Sequence, residues 1–370
     1  MRTFLKASLT VLLSSCITLL VLEVVLRVTA GAPWPEELPL IRVRPNPRMG
    51  WTMVPNDIHY TYMHRVKLNS LGFRGPEIVK KQENEYRILA LGDSHVYGQG
   101  VPDEFLFTRV VEAGLNETSF DCFFRVINMG VRAYSSNQEL ALLEEVGIAL
   151  EPDHVILFFY INDFDLVDLE KTYTRFKGYD WYTFDLSGPP DERRLFWWRV
   201  VQVLRKSALI MWSYDRYQML RDRGNVEEVI LRGVLDEDLR SRFSRVEQYL
   251  SRMISLSKKH QFDFTLAVIP VSSQLVVNYP EEHYQSWLKR LAETRSVGFL
   301  DLSRGLQDFY RTSQRLPIIP YDGHYDSDGH RAMATQVVDS LRKTATCRRN
   351  IKTHLEDQVL PQEQKLSRTR

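Results

Sequence analysis

A serine hydroxyl attacks a carbonyl at neutral pH only when a base takes its proton, so the serines worth weighing are those that a strand end exposes. Ser94 is one of these: Gly92-Asp93-Ser94-His95 follows the apolar run Ile88-Leu89-Ala90-Leu91 directly. Gly92 permits a tight turn, and Ser94 then opens the next segment with its hydroxyl at the carboxyl end of the strand, the edge where open α/β sheets hold ligands. Three later blocks carry other groups that acyl chemistry uses: Asn128-Met129-Gly130, Asn162-Asp163, and Asp322-Gly323-His324 ahead of Gly329-His330. Each has a plainer reading. Ser94 or Asp93 would serve as a helix cap, Asn162 as the first residue of an Asx-turn, and His324 as a surface histidine.

The elements that must position these residues alternate in type. Short apolar runs at residues 87–91, 126–129 and 155–159 read as strands buried on both faces, and residues 137–150 between the last two read as a helix, in βαβ order. Residues 264–269 and 297–302 read as two further strands, 239–259 as a helix entering the first of them, and 331–341 as the closing helix. The pattern predicts an α/β fold, a three-layer α/β/α sandwich around a central, mainly parallel sheet, occupying residues 85–345. The alternation lapses from about 167 to 235, where Trp181, Trp197, Trp198 and Trp212 gather. Helical spacing over 195–220 predicts a helical cap inserted there, packed through its apolar stripe. A platform for stacking carbohydrate is the rival reading of those aromatics.

The two ends and the leader differ in composition from this domain. Residues 1–30 carry Arg2 and Lys6 and then a long apolar run, about one bilayer thickness as a helix, in which Glu23 and Arg27 stand four apart and are able to pair. The prediction is a single-pass signal anchor in the cell membrane, with the bulk of the chain on the periplasmic or extracytoplasmic side. A lipoprotein signal ending at Leu13-Ser14-Ser15-Cys16 and a buried helix of a soluble protein are the alternatives; the apolar Ile17 that follows Cys16 argues against the first. Residues 31–84 are rich in Pro, Gly and aromatics and are expected to be extended, turn-rich and packed on the main domain, because Trp51, Tyr60, Tyr62 and Phe73 are costly to leave in water. Residues 346–370 are charged and read as a solvated tail.

Charge and cysteine content narrow the partners. With 48 basic and 47 acidic residues and a net charge of +1, nothing points to nucleic acid. The three cysteines, Cys16, Cys122 and Cys347, lack metal-ligand spacing, and a Cys122–Cys347 disulfide is open if the domain is exported. Neither a metal nor a cofactor is expected.

Taken in order, the four blocks resemble the SGNH (GDSL-type) hydrolase family over roughly residues 44–345; Gly50-Trp51, Pro55-Asn56 and Asn69-Ser70-Leu71-Gly72-Phe73-Arg74-Gly75 are similar to the leader of its anchored bacterial members. The resemblance implies Ser94 as nucleophile, His324 as the base that takes its proton, and Asp322 as the group that orients the imidazole and stabilises its charged form. It implies an oxyanion hole made of the Ser94 and Gly130 amides and the Asn162 side chain. The chain departs from the family in three places: His95 replaces an apolar residue, Tyr160 stands where a glycine commonly precedes the Asn, and Asp322 and His324 are one residue closer together. His95 and His330 are the rival bases, and His330 opens a helix. The implied activity is acyl-ester cleavage through an acyl-serine, on an acylated carbohydrate or lipid of the envelope. An O-acyltransferase using the same site, or a non-catalytic glycan-binding or protein-binding component, are the alternatives.

Overall fold

The computed structural model describes residues 2–117, 122–176, 182–183, 192–221, 230, 237–277 and 283–344. The chain begins with a long helix, α1 (Arg2–Thr29), and continues into four short strands, β1 (Arg42–Asn46), β2 (Gly50–Met53), β3 (Ile58–Thr61) and β4 (His64–Lys67). It then alternates through β5 (Glu85–Gly92), α2 (Ser94–Tyr97), α3 (Phe107–Asn116), β6 (Phe123–Gly130), α4 (Ser136–Leu142), β7 (His154–Phe159), α5 (Leu169–Phe176) and β8 (Tyr182–Thr183). Next come α6 (Glu192–Leu204), α7 (Ala208–Arg221), α8 (Glu237–His260), β9 (Asp263–Val268), α9 (His283–Arg295), β10 (Gly298–Asp301), α10 (Ser303–Ser313) and α11 (Ser327–Thr344).

Five of these strands form one parallel sheet in the order β10-β9-β7-β5-β6. Side chains of a strand point alternately to its two faces, and here both faces are covered. Leu89, Leu91, Val155, Leu157 and Phe159 enter one core, shared with Leu142 of α4, Leu250 of α8 and Leu288 of α9. Ile88, Ala90, Ile156 and Phe158 enter the other, shared with Val111 of α3, Leu306 of α10 and Val337 of α11. The result is a three-layer α/β/α sandwich. Register places Gly92 of β5 opposite Gly130 of β6 and Phe158 of β7, so the carboxyl ends of these three neighbouring strands finish level and form one edge.

The leader is more ordered than its composition suggests. β1 and β2 form a hairpin, β3 and β4 form another, and β8 adds to β1 in a small antiparallel sheet. Trp51 and Phe73 are buried in the same core as β5 and β7. Tyr134 donates its phenol hydrogen to the Trp51 carbonyl at 2.5 Å, with the two rings edge to face. Burying side chains of this size stabilises by roughly 1.5–3 kcal/mol each.

The helix expected over 195–220 is two helices. The break falls at residues 205–207, and its cause lies far away in the chain: the Glu23 carboxylate of α1 accepts from the Ser207 hydroxyl at 2.8 Å and from the Ala208 and Leu209 amides at 2.9 Å. A carboxylate at a helix start satisfies N–H groups that have no partner within the helix, so α7 begins there. Arg27 pairs with Glu23 at 2.8 Å and donates to the Lys206 carbonyl at 2.5 Å. The stretch Lys6–Thr29, with mean hydropathy 2.4, is exposed and is long and apolar enough to cross a membrane. Cys16 on it is a free thiol, and Cys122 is disulfide-bonded. Trp181, Cys347 and the tail 346–370 lie outside the described residues.

Candidate active site

β5 delivers Ser94 to the edge. Gly92 sits at φ +159°, where an added Cβ would come within 2.4 Å of Val96, and Asp93 caps α2 by accepting from the His95 amide at 2.8 Å. Ser94 is the first residue of α2 and is 93% buried, with its Oγ 2.7 Å from His324 Nε2. His324 Nδ1 is hydrogen-bonded to Asp322 Oδ1, and the same oxygen accepts from the His324 amide at 3.1 Å. A nucleophile, a base and an orienting carboxylate therefore stand in one line. Residues expected to act together from positions 94, 322 and 324 are brought together.

Asp322 is held from its other side as well. Its Oδ2 accepts from the Tyr62 hydroxyl and from Gln99 Nε2 at 3.1 Å. Burial alone raises a carboxyl, but the His324 charge and the hydrogen bonds from His324 and Tyr62 outweigh it and keep Asp322 well below the usual carboxylate range. Burial and the Asp322 charge together push the Tyr62 phenol well up, so it stays a donor.

The leader also fixes the nucleophile helix. Arg74 is fully buried and donates to the Tyr97 carbonyl at 3.2 Å, the Gly98 carbonyl at 2.6 Å and the Val101 carbonyl, while its Nε meets Asp103 at 2.7 Å. These are carbonyls at and just beyond the end of α2, which no helix bond satisfies. His59 bridges Asp57 and the Tyr97 hydroxyl, at 3.1 and 2.6 Å. Tyr62, Arg74 and Gln99 were not among the residues singled out for chemistry; the only sequence signal for Arg74 was a lone cation inside the turn-rich Leu71-Gly72-Phe73-Arg74-Gly75.

The two rival bases have other partners. His330 Nδ1 accepts from the Phe107 amide at 3.1 Å, and burial pushes the ring down to about 3, so it stays neutral. His95 stacks on His324 with centroids 4.6 Å apart and meets the Tyr160 ring at a tilt with centroids 4.0 Å apart, its Nδ1 3.3 Å from Asp93; burial keeps it below the usual histidine range. Its ring fixes the plane in which the His324 imidazole lies. Neither histidine contacts Ser94 Oγ.

Two of the expected oxyanion donors, Asn162 and Gly130, have partners within the protein. Asn162 Nδ2 donates to Asp93 Oδ2 at 2.8 Å, which engages one of its two hydrogens. The Gly130 N–H donates to Asn128 Oδ1 at 3.0 Å, and a Cβ on Gly130 would stand 2.1 Å from the Tyr97 nitrogen, so this glycine lets α2 lie against β6. Three residues later Ala133 adopts φ +61°, a conformation uncommon for a residue with a side chain and a frequent mark of a functional turn. Below Asp93 lie Glu139 and Asp163, both fully buried; burial, and next the neighbouring carboxylates, push both well above the carboxylate range. A cavity of about 690 Å³ lined by His154, Asp263 and Thr344 lies at the amino-terminal end of the strands, away from this chemistry.

No family model matches the chain, and no curated protein matches it. Among solved structures it is similar to an acetyl xylan esterase, at 12% identity over 69% of this chain and 99% of that one, TM-score 0.42. It is also similar to a variant of an acetyl-xylooligosaccharide esterase from Geobacillus Stearmophilus, at 16% identity over 70% and 94%, TM-score 0.42. A third is a psychrotrophic esterase from Pseudoalteromonas sp., at 14% identity over 70% and 97%, TM-score 0.40. Superpositions this loose add no weight to the geometry described above.

Proposed function

We propose that the chain is a serine ester hydrolase of the SGNH type, acting through an acyl-serine on O-acyl groups of an envelope carbohydrate or lipid and anchored in the membrane by α1. One observation carries the reading: the unbroken series Ser94 Oγ, His324 Nε2, His324 Nδ1, Asp322 at the carboxyl edge of the sheet. Ser94 Oγ adds to the acyl carbonyl as its proton passes to His324 Nε2, and Asp322 stabilises the imidazolium that results. The oxyanion is received by the Ser94 N–H, the second hydrogen of Asn162 Nδ2 and the Ala133 N–H. Gly130, whose N–H is engaged by Asn128, acts in this scheme by admitting α2 and not as a donor. The ester C–O bond then breaks, the alcohol leaves with the proton from His324, and water repeats the sequence on the acyl-serine to give the acid and free Ser94.

The test is turnover of a short-chain ester together with labelling by a fluorophosphonate. Ser94→Ala and His324→Ala are each expected to lower turnover by at least about 10³-fold with the circular dichroism spectrum unchanged, and Ser94→Ala to abolish labelling. Either variant retaining turnover within about tenfold of wild type sinks the assignment.

A further inference from the structure

The α6–α7 hairpin turns large apolar side chains outward. Phe196, Trp197 and Val203 are 59, 56 and 67% exposed on α6, and Ile210, Trp212 and Tyr217 are 42, 38 and 58% exposed on α7. A soluble surface rarely gathers so many, and a patch of this kind marks a site of contact. The hairpin, its turn included, holds seven basic residues and two acidic ones, in a chain whose overall charge is +1. Aromatic rings mixed with arginine are the composition of the layer where a bilayer meets water, and the excess positive charge is complementary to anionic headgroups.

Where the hairpin is held decides what covers it. Its turn is fastened to Glu23 and Arg27 of α1. Glu23 stands seventeen residues after Lys6, roughly 26 Å along a helix, against a hydrocarbon core of about 30 Å. With Lys6 at one face of a bilayer, Glu23 and the start of α7 reach the other face. The catalytic loop lies beside the same point: Pro320 stands 2.8 Å from where a Cβ on Gly31 would be, and Tyr321 feels the charges of Glu23, Asp215 and Arg27. Glu36, which Arg205 and Gln202 of the hairpin contact at 3.9 and 3.1 Å, bears in turn on Tyr62, the partner of Asp322.

We infer that α6 and α7 lie in the headgroup layer of an anionic bilayer at the exit of α1, so that Ser94 works at the membrane surface on acyl esters carried by membrane-resident amphiphiles. The substrate part rests on the hydrolase reading; the seating of the hairpin does not. The full chain is reconstituted in phosphatidylcholine–phosphatidylglycerol vesicles with and without brominated acyl chains, and tryptophan fluorescence is read. Bromine is expected to quench the wild type, and the double variant Trp197→Phe, Trp212→Phe to lose about half or more of that quenching, because rings at the interface lie within reach of the chains. Val203→Trp, at a position 67% exposed, is expected to add to it. Quenching unchanged in the double variant, or no gain from Val203→Trp, overturns the seating. In the same vesicles the ratio of turnover on a lipid-borne ester to that on a water-soluble ester is expected to fall at least tenfold in Trp197→Glu. An unchanged ratio overturns the substrate class. Absence of Ser94-dependent turnover on both esters refutes the hydrolase reading instead, and leaves the fluorescence result to stand alone.

Discussion

Residues 31–84 and the α6–α7 hairpin both lie outside the parallel sheet and both border the Asp322 loop, yet they are built on opposite plans. The leader turns its polar groups inward: Tyr62 reaches Asp322, Arg74 reaches the carbonyls beyond α2, and His59 reaches Tyr97, all of them buried. The hairpin turns large apolar groups outward and is tied to α1 and the leader by polar contacts with Glu23 and Glu36. A buried hydrogen bond fixes a position because losing either partner strands the other away from water. An exposed aromatic fixes nothing within its own chain. The leader therefore sets the geometry of the site, whereas the hairpin sets what the site faces.

Breaking the strongest leader contact gives the largest expected effect. Arg74→Met removes a buried guanidinium that serves three carbonyls, and urea unfolding should show a loss of about 3–5 kcal/mol. A loss below about 1 kcal/mol would place the leader on the same footing as the hairpin.

Acid should reveal the same asymmetry. Burial holds His59 below the usual histidine range, with Asp57 opposing only in part. Between that depressed value and about 6.5 the unfolded chain binds a proton that the folded chain refuses. His59 thus contributes stability that is complete above about pH 6.5 and declines as pH falls below it, by up to about 1.4 kcal/mol per pH unit. Replacing it by Gln, which titrates nowhere in this range, should flatten the slope measured by denaturant unfolding at pH 7, 6 and 5.

Tyr62→Phe sharpens the comparison at the level of catalysis. It removes one hydrogen bond to Asp322 and no volume, so kcat should fall roughly five- to tenfold with KM nearly constant. An effect confined to KM would make Tyr62 a substrate contact and not a positioning residue. The smallest effect belongs to the hairpin: Trp197→Ser should move the unfolding free energy in detergent by less than about 0.5 kcal/mol, as for other exposed positions.

The parts of this arrangement that sequence conveys are those with a local cause. Residues 87–91 read as a buried strand because every residue there is apolar but Arg87, and Gly92-Asp93-Ser94 announces the turn after it. Asp322 and His324 were readable as a pair with Ser94 through block order. Tyr62 was not, since its bond to Asp322 spans 260 residues and nothing near Tyr62 signals it. The two leader hairpins escaped because β3 and β4 are four residues each and carry His59, His64, Arg65 and Lys67 in place of a clear alternation. The break between α6 and α7 escaped for a related reason: its capping carboxylate, Glu23, comes from the far end of the chain. Ala133 was unreadable because φ is positive there at a residue type that ordinarily avoids it.

The buried reach of Arg74 and Tyr62 into the site also says where this chain tolerates being cut. A boundary drawn by the sheet alone falls just before β5, and a fragment begun there would keep Ser94, Asp322 and His324 while losing the cation that closes α2 and the phenol that holds Asp322. A cut among residues 32–40, ahead of β1, severs the apolar helix and leaves both contacts in place. The smallest self-sufficient piece is therefore longer than its sheet: a protease acting among residues 32–40 would release a domain that keeps both contacts, while one acting just before β5 would release a domain that lacks them.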